Sequence, residues 1–290
     1  MLKVLENKNI KIEVSLNGAE LKSLKSDGIE YIWYSRPEFW RFCAPFLFPI
    51  VGTLKDKETI INGKMYQIPQ HGIIRTSLFE YLGIKDNVMS FENKYSEESL
   101  KTYPFKYLFH VDYILEDNKL ETKITITNLG DEVMPFNLGG HPAFNVPLYE
   151  GDTFEDYSVY FEENETFVSP KVMSNATLNF SESAMKCENI SKIDLKKSLF
   201  DIDTIVLPKV KSKSVKLLNK NMKGIKFSYP EYSTLAIWTP YNEAPFVCLE
   251  PWIGYNDRHD TNKEYITKDN IVFLKEKESF TASYIIELIK

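Results

Sequence analysis

Apolar residues in this chain recur at every second position in short stretches closed by Asn-Gly or Asp-Gly pairs, and nowhere at the spacing of a long helix. Ile12, Val14 and Leu16 alternate with Lys11, Glu13 and Ser15, as in a strand with one face on a core. Phe109, Val111, Tyr113 and Leu115 do the same, and residues 121–127 repeat the pattern. Asn17-Gly18, Asp27-Gly28 and Asn62-Gly63 lie between such runs, where positive φ values close tight hairpins. The pattern predicts an all-β, antiparallel chain. Large β-sandwiches exceed the usual domain length, so one domain over residues 1–290 is expected.

Less regular stretches carry their own expectations. Pro37 opens a short helical turn through Trp40, residues 194–200 form another, and residues 149–187 continue as short strands. Residues 209–216 alternate Lys with Ser or Val, which reads as an edge strand guarded by charge. His110 falls mid-strand among polar neighbours and is expected to be structural.

Composition narrows the partners. A net charge of −6 gives no electrostatic footprint for nucleic acid or an anionic membrane. No apolar run reaches the ~18 residues that would suggest a membrane span. The three cysteines are odd in number and widely spaced, without a CxxC pair, so neither a disulfide framework nor a thiolate zinc site is expected. A cytoplasmic location follows as the expectation.

Three blocks carry candidate chemistry. In residues 136–147, FNLGGHPAFNVP, Gly139 and Gly140 point to a bulge or a close ligand contact. His141 beside them is expected to face a cleft with an ordinary imidazole pKa near 6.5. Residues 70–75, QHGIIR, place a second histidine, His71, before a glycine. In residues 246–250, FVCLE, alternation puts Phe246, Cys248 and Glu250 on one face, ending in a carboxylate where Pro251 is expected to break the strand. Burial there raises a Glu pKa toward the range of a general base.

Together, HGIIR at His71, NLGGHPAFN around His141, LFDID ending at Asp203, and AIW followed by FVCLEPW around Glu250 resemble the aldose 1-epimerase (galactose mutarotase-like) family, in order and spacing, from about Leu16 onward. The resemblance implies a large antiparallel β-supersandwich whose concave face binds a monosaccharide, with no cofactor and no metal. It implies that His141 protonates the pyranose ring oxygen and Glu250 takes the proton of the C1 hydroxyl, with His71 near the anomeric oxygen. Asp203 would grip sugar hydroxyls, and Asn145 belongs to the same substrate-binding set. One departure stands out: many relatives carry an arginine after the PxVG glycine, where this chain has Thr53. Arg41 or Arg75 would have to compensate. Alternatives are a sugar-6-phosphate mutarotase, against which the lost arginine argues, a non-catalytic sugar-binding module, and a metal site of His71, His141 and Glu250. The oligomeric state is left open.

Overall fold

Among the described residues, 2–290, the computed structural model builds two large antiparallel sheets, a four-stranded one and two strand pairs. The larger has nine strands, in the order Leu178–Asp194, Tyr157–Val172, Ser214–Asn219, Gly224–Ser228, Ser279–Ile289, Lys119–Asn128, Tyr107–Glu116, Val88–Lys94 and Glu80–Lys85. The second runs Ile205–Pro208, Thr234–Trp238, Phe246–Ile253, Leu138–Gly140 and Phe46–Leu47, with Ala143–Asn145 also paired to Phe246–Ile253. The third joins Leu2–Glu6, Lys11–Ser15, Leu21–Ser26 and Ile29–Glu30. One core runs from Leu5 to Leu288 between them, taking Phe109, Val111 and Tyr113 from the large sheet and Val247 and Leu249 from the second. Burial of this apolar surface is the main favourable term in folding.

The predicted alternations form as read. The Asn62-Gly63 hairpin closes with Ile61 opposite Lys64. Other stretches differ. Residues 149–187 do not make short strands but two long ones, Tyr157–Val172 and Leu178–Asp194, whose registers shift repeatedly at bulges; those irregularities disguise a long strand as several. The charged run at 209–216 is no edge: Ser214–Asn219 lies between Tyr157–Val172 and Gly224–Ser228. Lys216 is exposed there while Val215 and Leu217 are buried, so the alternation marked a solvated face rather than an edge. The helical turn expected at 194–200 appears as Lys197–Ile202. Residues 37–40 form a turn closed by a bridge between Arg36 and Trp40. A six-residue helix, Glu97–Thr102, is capped by Ser96 and carried no periodicity long enough to be seen.

Candidate active site

The site is made by an interruption in the second sheet. On one side of Phe246–Ile253, Ala143 pairs with Cys248 and Gly139 with Trp252, so the chain between, His141-Pro142, faces residues 249–251 without a regular ladder. Pro142 cannot donate to one, and only the Leu249 N–H reaches across, to the Pro142 carbonyl. Pro251 does not end the strand, which continues to Ile253; its missing N–H falls at this break, where little ladder is lost. Opposite Glu250 on the other side stands Ala236, too small to fill the space above the carboxylate.

The glycines have a different reason from the one the sequence suggested. Gly139 and Gly140 lie in a regular strand, Leu138–Gly140, without positive φ. A Cβ on Gly139 would come within 2.9 Å of Trp252, and one on Gly140 within 2.7 Å of the Tyr284 ring. They are small so that large side chains can close over the strand, neither a bulge nor a ligand contact. The His141 N–H donates to the Pro45 carbonyl, fixing the imidazole over the break.

There His141 Nε2 lies 3.1 Å from Glu250 Oε2, and both side chains are buried, at 8% and 2% exposure. Neither His141 Nδ1 nor Glu250 Oε2 has a partner in hydrogen-bond geometry. Burial, with Asp203 adding to it, holds the Glu250 carboxyl well above the usual range, while the Trp252 indole works the other way. Burial, then His71 and Arg75, pushes the His141 imidazole well below 6.5, so it does not keep the ordinary value expected from its glycine-flanked setting. Low dielectric disfavours a net charge of either sign on the pair. The pair therefore holds one proton between its two members.

His71 stands beside it, ring centroids 5.4 Å apart. Its pKa is lowered to about 3, by burial first and Arg75 second. The Gly52 N–H donates to His71 Nδ1 at 3.2 Å, which leaves the neutral ring's proton on Nε2 as a donor. His71 holds φ 63°, an uncommon value for a non-glycine residue. Gly72 follows at φ 77°, where a Cβ would sit 2.0 Å from the Phe48 carbonyl oxygen.

These groups open into a cleft of about 290 Å³, lined also by Trp40, Gln70, Arg75, Asp203, Trp238, Trp252 and Asn256. Asp203 is exposed at the rim, at φ 73° after the Lys197–Ile202 turn. Two expected residues do not line it. Asn145 donates to the Glu30 and Ile32 carbonyls, tying two sheets together, and Arg41 is exposed, outside the lining. Thr53 is also outside, its carbonyl taking the Asp257 N–H. Asn256 was not read from sequence; the buried Lys268 to Asp257 pair, at 2.5 Å, clamps its loop. Trp40 was missed too: it stacks on His141, centroids 4.7 Å apart at 28°, from a loop with no period. Trp252 was missed because Pro251 was expected to end the strand; continued alternation would have put it on the Glu250 face. The donor set close enough for a metal is His141, Cys248 and Glu250, within 4.8 Å of one another, with Cys248 replacing the His71 expected in such a set. Burial holds the Cys248 thiol protonated, a poor metal ligand until ionised.

The family model described as aldose 1-epimerase matches residues 1–287. Protein LacX, plasmid, of Lactococcus lactis subsp. lactis is 36% identical over 259 residues, 86% of this chain and 87% of that protein. A galactose mutarotase related enzyme from Lactobacillus acidophilus superposes with a TM-score of 0.93 at 33% identity, over 100% of this chain and 98% of its own. A galactose mutarotase-like protein from Lactobacillus casei gives 0.91 at 28%, over 99% and 100%. No helix among the described residues is long and apolar enough to cross a membrane. The chain belongs to the aldose 1-epimerase family.

Proposed function

We propose that this cleft interconverts the α and β anomers of an aldopyranose by opening and reclosing its ring. The observation that carries the reading is the buried 3.1 Å contact of His141 with Glu250. The ring oxygen and the C1 hydroxyl oxygen share one carbon, so the acid that serves one and the base that serves the other must be neighbours. As Glu250 takes the C1 hydroxyl proton, His141 gives its own to the ring oxygen, the C1 to ring-oxygen bond breaks, and the aldehyde forms. Burial favours the neutral form, with the shared proton on Glu250, so that proton first passes to His141 across the contact; ring opening then returns the pair from ion pair to neutral without changing its proton count. Rotation about C1–C2 and the reverse transfers yield the other anomer. His71 Nε2–H is suited to donate to the anomeric oxygen, and Asp203 and Asn256 to hold hydroxyls.

Each positioned acid or base contributes about 100 to 10,000-fold. Exchange NMR across a panel of aldoses tests the reading: acceleration by catalytic amounts of protein is expected. Binding of sugar without acceleration would favour a sugar-binding module. A second reading, a metal held by His141, Cys248 and Glu250, is supported by their proximity; activity lost to a chelator and regained with zinc would favour it. We infer too that the chain works in the cytoplasm as one domain over residues 1–290, a reading its three free cysteines support.

A further inference from the structure

Asp257 follows Asn256 in the chain but lies outside the cleft lining. It is buried, and each of its four polar atoms has a partner. Its Oδ1 meets Lys268 Nζ at 2.5 Å, with the two side chains 3% and 4% exposed. Its Oδ2 accepts the Lys55 N–H at 2.9 Å. Its own N–H donates to the Thr53 carbonyl, and its carbonyl accepts the Leu178 N–H, both at 2.9 Å. One residue therefore grips residues 53 and 55 on one side and the start of the Leu178–Asp194 strand on the other. Lys268 Nζ donates also to the Tyr255 carbonyl at 3.3 Å, which closes the loop around the pair.

A buried ion pair is a costly way to join two segments. Apolar side chains of similar volume are often as stabilising or more so, because desolvation offsets most of the Coulomb attraction. What an apolar pair cannot do is accept the Lys55 N–H, so the carboxylate is better explained by what it orients. The segment it holds leads straight to the site. Gly52 precedes Thr53; its N–H donates to His71 Nδ1 at 3.2 Å, and its carbonyl takes the His71 N–H at 2.7 Å. Asn256 packs directly on Gly52, where a Cβ would overlap its side-chain amide, and donates to the Ala176 carbonyl at 2.7 Å. A turn of this segment would carry the Gly52 N–H off the imidazole, and Nδ1 would then be free to take the ring proton.

We propose that Asp257, charged against Lys268, is a positioning residue for His71: through residues 52–55 it holds the Gly52 N–H on Nδ1 and so keeps the ring proton on Nε2 as a donor. The use of that proton rests on the mutarotase reading, in which Nε2–H meets the anomeric oxygen; the tautomer itself does not.

The test reads the tautomer by nitrogen NMR of the histidine rings in the folded full chain, with anomer exchange measured beside it. Wild type should show His71 as Nε2–H alone, and a mixture there overturns the proposal without any variant. Two variants remove the carboxylate. Asp257→Asn leaves Lys268 unpaired; Asp257→Leu with Lys268→Met replaces the pair by apolar groups and should fold where the first does not. In either, a His71 population protonated on Nδ1 is expected. Exchange at saturating sugar should fall about 10-fold as the Nε2 donor is lost or misdirected, which is the worth of one charge-assisted hydrogen bond. A folded variant that keeps His71 wholly as Nε2–H overturns the proposal. Mixed tautomers in the variants, with no exchange by wild type on any aldose, uphold the positioning and overturn the mutarotase reading alone.

Discussion

Trp40 lies nearly parallel to the imidazole of His141, ring centroids 4.7 Å apart, and Trp238 meets the same ring edge-on at 5.6 Å. The two indoles cover the imidazole, in keeping with burial being the largest influence on its titration. Trp40→Ala should let water in and relax the imidazole toward its ordinary value. The acid limb of the pH–rate profile should then move to higher pH, with kcat/KM falling about 10-fold, while Trp40→Phe keeps most of both. An unmoved acid limb in Trp40→Ala would show that the stack does not set the titration.

The His141 and Glu250 pair should give a bell-shaped profile broader than two ordinary groups would. Burial disfavours the doubly protonated pair and the fully deprotonated pair alike, so the acid limb lies lower and the basic limb higher than free carboxylate and imidazole values. Glu250→Gln and His141→Asn should each cost about 100-fold or more in exchange rate. On the proposed mechanism the two serve one event, so the double variant should lose far less than the product of the two. Polarimetry on the three variants decides; near wild-type turnover in either single variant would remove the pair from the mechanism.

Much of this was legible, and the reasons are local. Period-2 runs such as Phe109 to Leu115 declare a strand wherever one face is buried, and Phe246, Cys248 and Glu250 follow from alternation alone, whereas Trp252 was lost because Pro251 was expected to end the strand. The breaks defeated such reasoning: Gly139 and Gly140 answer to Trp252 and Tyr284, more than 100 residues away, and no neighbouring residue encodes that. Trp40 comes from an irregular loop, and Asn256 from a loop held by an ion pair that only the fold assembles. The pKa of His141 was misjudged because burial is a property of the closed sheet.

Acid should destabilise the fold through His71. Its folded value of about 3 lies below the unfolded 6.5, so between these the unfolded chain binds more protons. The stability it contributes is fully present above 6.5 and lost as pH falls toward 3, worth about 2 to 3 kcal/mol by pH 4.5. The lowered His141 acts in the same sense but is opposed by the raised Glu250 beside it, so the pair adds little over this range. His110 acts in the opposite one: although burial opposes it, Glu92 and Asp112 raise its value, so its contribution fades as pH rises through that raised value. The fully buried His71 should outweigh the half-buried His110. Urea unfolding at pH 7.5 and 4.5 should show a smaller loss for His71→Gln than for wild type; equal losses would exclude His71 as the source.

Gly72→Ala should be far more damaging than Gly63→Ala, although both positions have positive φ, 77° and 72°. The left-handed conformation alone costs about 1 to 2 kcal/mol. At Gly63 nothing lies within 4 Å of the new methyl, whereas at Gly72 it would overlap the Phe48 backbone, which cannot move aside cheaply. A loss of about 4 kcal/mol or more is expected there. Thermal melts of the two variants compare directly, and equal shifts would contradict the contact.

The interruption in the second sheet also sets when the site can exist. His141 and Glu250 belong to segments more than 100 residues apart, and the strands around them come from Phe46 through Ile253, so no local hairpin brings the two side chains together. Closing such loops costs entropy before any contact rewards it. During refolding, β-structure seen by circular dichroism should therefore return first through hairpins such as Tyr107–Glu116 with Lys119–Asn128. The proposed anomer exchange should return only once the second sheet closes, which would make it the most stringent reporter of the native topology.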